Sequence, residues 1–194
     1  MAEIMRIASE ADADAIAAIY APYVRDTVIS FELEPPTREE MQRRIANTLA
    51  TLPWLVIERE GQVLAYAYAG LHRTRWAYQW AVDVSVYVDS QAHRRGYGRR
   101  LYQALFNILR AQGYYTAYAG ITLPNEASVG LHEAMGFRPI GVYHNVGYKM
   151  GRWWDVGWWG LPLRDYEPPA GPPRRFPELA GGAETEQLLA GQPA

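Results

Sequence analysis

The sequence predicts a mixed α/β fold, and three observations carry that prediction. Apolar residues recur at helical spacing in stretches that alternate with short β-branched runs, in the order β-α-α-β-β-β-α-β-α-β-β. Strands follow one another too often for a doubly wound parallel sheet, in which a helix follows each strand. The 194 residues fit one domain, and 49% hydrophobic with 21% charged side chains is ordinary for a chain that buries a core.

Residues 4–7 form the first strand. Ser9 offers a helix cap, with Asp12 three residues on, and residues 13–23 carry Ile16, Ile19, Tyr20 and Tyr23 at helical spacing. Pro35-Pro36-Thr37 opens a second helix running to residue 49, with Thr37 as its cap. Residues 54–58 and 63–69 are strands joined by a hairpin turn at Glu60-Gly61. Residues 82–88 form the next strand, which ends at the polar Asp89-Ser90-Gln91 turn. The helix over 98–112 repeats Leu101, Leu105, Ile108 and Leu109 on one face, and Gly113 closes it. Residues 115–121 read as a strand, 126–135 as a short helix stopped at Gly136, and 137–143 and 146–159 as the last strands.

Residues 1–165 make up this domain. The composition then changes: residues 166–194 hold six prolines and four glycines, which predicts a flexible tail. The absence of cysteine excludes disulfides, thiolate metal sites and a cysteine nucleophile. The N-terminus lacks the basic and apolar regions of a signal peptide, and residues 15–24 are too short to span a bilayer. A cytoplasmic protein is expected. The net charge of -2 gives no global reason to expect nucleic acid or a membrane as partner.

The chemistry concentrates after residue 88, at His93-Arg94-Arg95-Gly96-Tyr97-Gly98-Arg99-Arg100. A strand–loop–helix with glycines at the helix start aims free backbone N–H groups at one point, where an anion can sit. Four arginines add positive charge there. The alternative is a solvated basic turn shaped by its glycines. A P-loop is excluded, because it needs a Gly-Lys pair and the only lysine is Lys149; a dinucleotide-binding turn lacks its third glycine.

Taken with Asn125-Glu-Ala127-Ser-Val-Gly-Leu131-His132-Glu-Ala-Met-Gly136-Phe137 further on, the loop resembles the two motifs of the GNAT acetyltransferases. Leu123-Pro-Asn125, Gly147-Tyr-Lys149 and Asp155-Val-Gly157 are more narrowly similar to the phosphinothricin N-acetyltransferase group. This likeness covers residues 4–163. It implies a GNAT fold, with a central, mostly antiparallel sheet flanked by helices. It also implies acetyl-CoA as co-substrate, a small-molecule amine as acceptor, direct transfer in a ternary complex, no need for a metal, and a homodimer.

The resemblance further implies that backbone groups of Val86, Tyr87 and Val88 meet the pantetheine as another strand would. Arg94, Arg95, Gly96, Tyr97, Gly98 and Arg99 would hold the diphosphate, and Asn125 and Ser128 the pantetheine arm. Asp83, an acid in an otherwise apolar strand, is the candidate base, where related enzymes carry glutamate; it also reads as a solvent-facing residue. His132 stands where many members carry a tyrosine, and serves as acid or base or packs in its helix. Phe31 and Tyr87 would line the acceptor cavity. Arg73, Arg75, Tyr78 and Trp80 form a cationic and aromatic loop leading into Asp83, suited to an acidic amino-acid-like substrate, with Arg75 and Tyr78 as its binding residues. His72, His93 and His144 are expected to be structural or exposed. Trp153, Trp154, Trp158 and Trp159 suit a dimer seam or a pocket wall. Other acceptors (an aminoglycoside, a polyamine, a protein N-terminus) and a non-catalytic acyl-CoA-binding module are the alternatives.

Overall fold

The computed structural model describes residues 3–190. The elements are β1 Glu3–Ile7, α1 Ala13–Arg25, α2 Arg38–Leu49, β2 Trp54–Arg59, β3 Gln62–Leu71, β4 Ala81–Val88, α3 Tyr97–Gln112, β5 Thr116–Leu123, α4 Glu126–Ala134, β6 Arg138–Lys149, β7 Arg152–Pro162 and α5 Ala183–Leu189. One seven-stranded sheet takes the order β1-β2-β3-β4-β5-β7-β6. Its β4–β5 pair is parallel and the other pairs are antiparallel.

Strand alternation sorts the side chains of β4 between two cores. Val82 and Val84 are buried under α3 with Leu101, Leu105, Ile108 and Leu109, the stripe expected from the sequence. Full burial of such a side chain contributes about 1.5–3 kcal/mol. Tyr87 points the other way, against a second core of α1, α2, β2 and β3 that holds Ile16, Ile45, Trp54 and Tyr66. The start of α1 is fixed as its sequence suggests: Asp12 accepts from the Ser9 amide at 2.7 Å. Arg6 reinforces it, donating to both Asp12 oxygens at 2.8 and 2.7 Å and to Glu58.

Two expectations change. The last hairpin turns at Met150-Gly151, both at positive φ, rather than near residues 144–145. The polar His144-Asn145 pair, read as a strand break, is an irregularity inside β6, where the register slips between Tyr143 and Gly147. Asp155 of β7 holds it by accepting from the Asn145 amide and from His144 Nδ1, both at 2.8 Å.

The segment expected as a flexible tail carries packed structure. Phe176, Leu179 and Leu188 are buried. The Arg174 amide donates to the Gln112 carbonyl at 2.7 Å and the Phe176 amide to that of Thr51 at 3.0 Å. Phe176 and Leu179 are one helical step apart, but the prolines around them and the long gap to Leu188 leave no sustained periodic signal. Residues 191–194 of that tail, and residues 1–2, lie outside the described residues. Among the described residues no helix is long and apolar enough to cross a membrane.

Candidate active site

The β4–β5 pair touches only over Ala81–Asp83 and Thr116–Tyr118. Beyond that point the parallel strands separate and leave a cleft lined by Val84, Ser85, Val86 and Tyr87 on one side and Ala119, Gly120, Ile121 and Thr122 on the other. Strand backbone facing a gap keeps hydrogen-bonding groups for an extended, amide-bearing ligand.

At one end the cleft meets a cavity of about 530 Å³ walled by Val86, Tyr87, Val88, Arg94, Arg95, Gly96, Tyr97, Gly98, Arg99, Asn125 and Ser128. The structure thus brings together every residue expected to contact the co-substrate. Gly96 has φ 76° at the entry to α3, a conformation that side chains resist. Arg94 also sits at positive φ, 61°. Gly98 fits because a Cβ there would stand 3.1 Å from Leu131 Cδ2. Two expected contacts are narrowed. The Tyr97 side chain is buried and its hydroxyl donates to Glu3 at 2.5 Å, so Tyr97 offers the cavity backbone only. Asn125 Oδ1 accepts from the Ser128 amide at 3.1 Å as the cap of α4, which leaves its NH₂ group for a ligand. The Val88 carbonyl accepts from Tyr23 at 2.7 Å, and His93 Nε2 lies 3.1 Å from the same tyrosine hydroxyl.

His132 borders the cleft but is 4% exposed. Its Nδ1 lies 2.7 Å from the Ser128 carbonyl, which can only accept, so the ring proton is on Nδ1. Nε2 is therefore the acceptor of the Tyr102 hydroxyl at 3.0 Å. Burial pushes the imidazole below its ordinary pKa and the Tyr102 phenol above its own. A neutral histidine with both nitrogens occupied has no spare proton in this arrangement. It holds Tyr102 against the cleft, and Tyr102 gave no sequence signal because its spacing is that of a core residue.

At the other end lies a cavity of about 480 Å³ walled by Ile29, Phe31, Asp83, Tyr143, Val146 and Trp158, among others. It shares Ile29, Val84, Ser85, Gly120 and Thr122 with the cleft, so loop, cleft and cavity form one continuous path. Asp83 is paired: its Oδ1 accepts from His72 Nδ1 at 2.7 Å. Burial raises the Asp83 pKa, and the His72 hydrogen bond opposes that rise. His72 stands just past β3, and the register of β3 against β4 puts it diagonal to Asp83 on the same face. Arg75 and Tyr78 do not line this cavity; Tyr78 approaches through its ring edge, 6.1 Å from His72. Arg73 comes nearer, with its guanidinium 6.0 Å above the ring of the cavity-wall residue Trp158. Of the other tryptophans, Trp159 is buried, Trp154 lies under Arg152, and Trp153 is exposed.

Phe31 is seated on Gly147 of β6, where a Cβ would stand 2.1 Å from the ring. Gly147→Ala is expected to expel Phe31 and raise KM for the acceptor about tenfold, while KM for acetyl-CoA stays unchanged; steady-state kinetics with each substrate varied checks this. Among the described residues no group of three His, Cys, Asp or Glu stands ready to hold a metal ion.

The split parallel pair, the arginine–glycine loop and the path between them define an acyl-CoA-dependent transferase. The family model described as an acetyltransferase (GNAT) domain matches residues 5–158, and the chain belongs to that family as an acetyl-CoA-dependent N-acetyltransferase. It is 42% identical over 170 residues to the phosphinothricin N-acetyltransferase of Streptomyces viridochromogenes, covering 88% of this chain and 91% of that one. It is 36% identical over 165 residues to the L-methionine sulfoximine/L-methionine sulfone acetyltransferase of Pseudomonas paraeruginosa, covering 84% and 96%. The solved GNAT phosphinothricin acetyltransferase from Sinorhizobium meliloti in complex with acetyl-CoA superposes with a TM-score of 0.83 at 33% identity, covering 89% of this chain and 96% of that chain.

Proposed function

We propose that the protein acetylates the α-amine of a small amino-acid analogue, of the phosphinothricin or methionine sulfoximine/sulfone type. Transfer is direct, in a ternary complex. The observation that carries this reading is the continuous path from the arginine–glycine loop, through the cleft, to a separate cavity with Asp83 in its wall. Each substrate has its own chamber, and the two chambers meet where the strands part.

The loop amides around Gly96, with Arg94, Arg95 and Arg99, hold the diphosphate, and the cleft strands hold the pantetheine arm. Asn125 and Ser128 fix that arm from the α4 side. An α-ammonium must lose its proton before it can attack, and in a free amino acid, whose amine is more basic than the ~8 of a peptide N-terminus, this costs more than about 1.4 kcal/mol at pH 7. Asp83 takes that proton. The C–N bond forms and the C–S bond breaks; the acetylated nitrogen gives up its second proton to water, and the departing thiolate, of pKa about 8.5, takes a proton from water. His132 acts by holding Tyr102 on the cleft wall. Arg73, over the cavity-wall residue Trp158, is the cation nearest the acceptor's acid group, while Arg75 and Tyr78 stand outside the cavity wall. Arg73→Ala is expected to raise KM for an acidic acceptor about tenfold and Arg75→Ala less, both with kcat kept; two unchanged KM values would remove this loop from the site.

The test is thiol release from acetyl-CoA across phosphinothricin, methionine sulfoximine and methionine sulfone, against spermidine, an aminoglycoside and a peptide N-terminus. Turnover of these amino-acid analogues alone supports the proposal. Turnover of the others reassigns the acceptor, and release with none, despite acetyl-CoA binding, makes the protein a sensor. A cytoplasmic location and a homodimer complete the reading, the dimer supported by the exposed Ile140, Val142, Val146, Tyr148, Met150 and Trp153 of the β6–β7 hairpin. Sedimentation as a monomer at micromolar concentration would oppose it.

A further inference from the structure

Asp83 carries one methylene less than the glutamate that the resemblance implies, which withdraws its carboxylate by about 1.5 Å from an acceptor amine. The β3–β4 register compensates on the protein side. Gly70 stands opposite Asp83, and His72 follows two residues later on the same face. No side chain at Gly70 separates them, and His72 reaches Asp83 Oδ1 at 2.7 Å. The imidazole is itself walled in. Tyr118, the register partner of Asp83 on β5, lies 4.5 Å from it ring to ring, and the edges of Tyr78 and Trp158 close in at 6.1 and 6.0 Å. His72 keeps 15% of its side-chain exposure and Asp83 36%, so the carboxylate faces the cavity and the imidazole stands behind it. Asp83 Oδ2 accepts no hydrogen bond from the described residues.

We propose that His72 is the positioning residue for Asp83, holding the shortened carboxylate by Oδ1 so that Oδ2 collects the acceptor's proton through one water. This rests on the reading of Asp83 as the base. His72 and Arg73 from the segment after β3, Tyr68 from β3 and Tyr118 from β5 are the titratable groups facing Asp83, and only His72 hydrogen-bonds it among the described residues.

The experiment is the pH dependence of kcat and kcat/KM, with acetyl-CoA and the best acceptor found, for the wild type, His72→Phe, His72→Asn and Asp83→Asn. His72→Phe removes the donor and is expected to lower kcat roughly tenfold. It also moves the acidic limb of kcat/KM to higher pH, because the carboxylate loses the bond that holds its pKa down. His72→Asn keeps an N–H near Nδ1 and restores most of kcat and the position of the limb. KM for acetyl-CoA stays constant throughout. An unmoved limb in His72→Phe overturns the proposal, as does an equal kcat loss in His72→Phe and His72→Asn, which would mark His72 as packing alone. Undiminished kcat in Asp83→Asn is a separate result, and removes Asp83 itself as the base.

Discussion

Asp83→Asn is expected to lower kcat about 10²-fold at pH 7, within the range that positioned bases supply. The substitution keeps the shape of the side chain and an oxygen for His72 Nδ1, so stability should change little. What is lost is the group that, in the proposed function, takes the proton. The amine sheds its own proton more readily as the pH climbs toward its pKa, so the deficit should shrink between pH 7 and pH 9. Stopped-time assays of thiol release at saturating substrates, repeated over that interval, measure both features. A deficit that stays constant with pH would place Asp83 in binding or packing instead.

The largest effect on stability is expected from Lys149→Met. The chain's only lysine is 6% exposed and donates to two carbonyls, Val24 at the end of α1 at 2.6 Å and Ser30 at 2.7 Å. It ties the end of β6 to the loop that carries Ile29 and Phe31. Ser30 is held from its other side, since its hydroxyl meets Tyr20 at 2.7 Å and Tyr20 donates to Glu32. Methionine fills the space but leaves both carbonyls without that donor, a cost of about 1–3 kcal/mol. For a domain of this size that lowers Tm by about 3–10 °C. Burial lowers the Lys149 pKa below its ordinary 10.5. The unfolded chain then binds the proton more readily than the folded one, so this group's contribution grows as pH rises toward 10.5. The gap between wild type and Lys149→Met should widen from neutral to alkaline pH. Thermal denaturation at pH 7 and pH 9.5 measures it, and a gap below about 1 °C at both would show that the tie carries no stability.

Local signals served well wherever one stretch of chain does the work alone. The stripe of α3, the turn at Glu60-Gly61 and the loop around Gly96 could be read directly, because spacing, turn chemistry and the anion-binding geometry of a helix start depend on neighbours in sequence. The last hairpin was misplaced because His144 and Asn145 look like a turn until Asp155, on another strand, is seen to hold them. His72 was passed over for the same kind of reason: a histidine at the end of a strand says nothing until the register sets it beside Asp83. The tail's packing went unseen because Phe176, Leu179 and Leu188 are too few and too widely set among prolines and glycines to make a sustained period.

By itself, then, the sequence determined the order of elements, the arginine–glycine loop at the start of α3, the family, and Asp83 as the acid of interest, since each rests on short-range pattern and backbone chemistry. Tertiary structure decided what each group can do. It parted β4 from β5, joined the chambers, took the free proton from His132 and gave Asp83 a partner. Those outcomes depend on strand register and burial, which bring together side chains many residues apart and which no local pattern encodes.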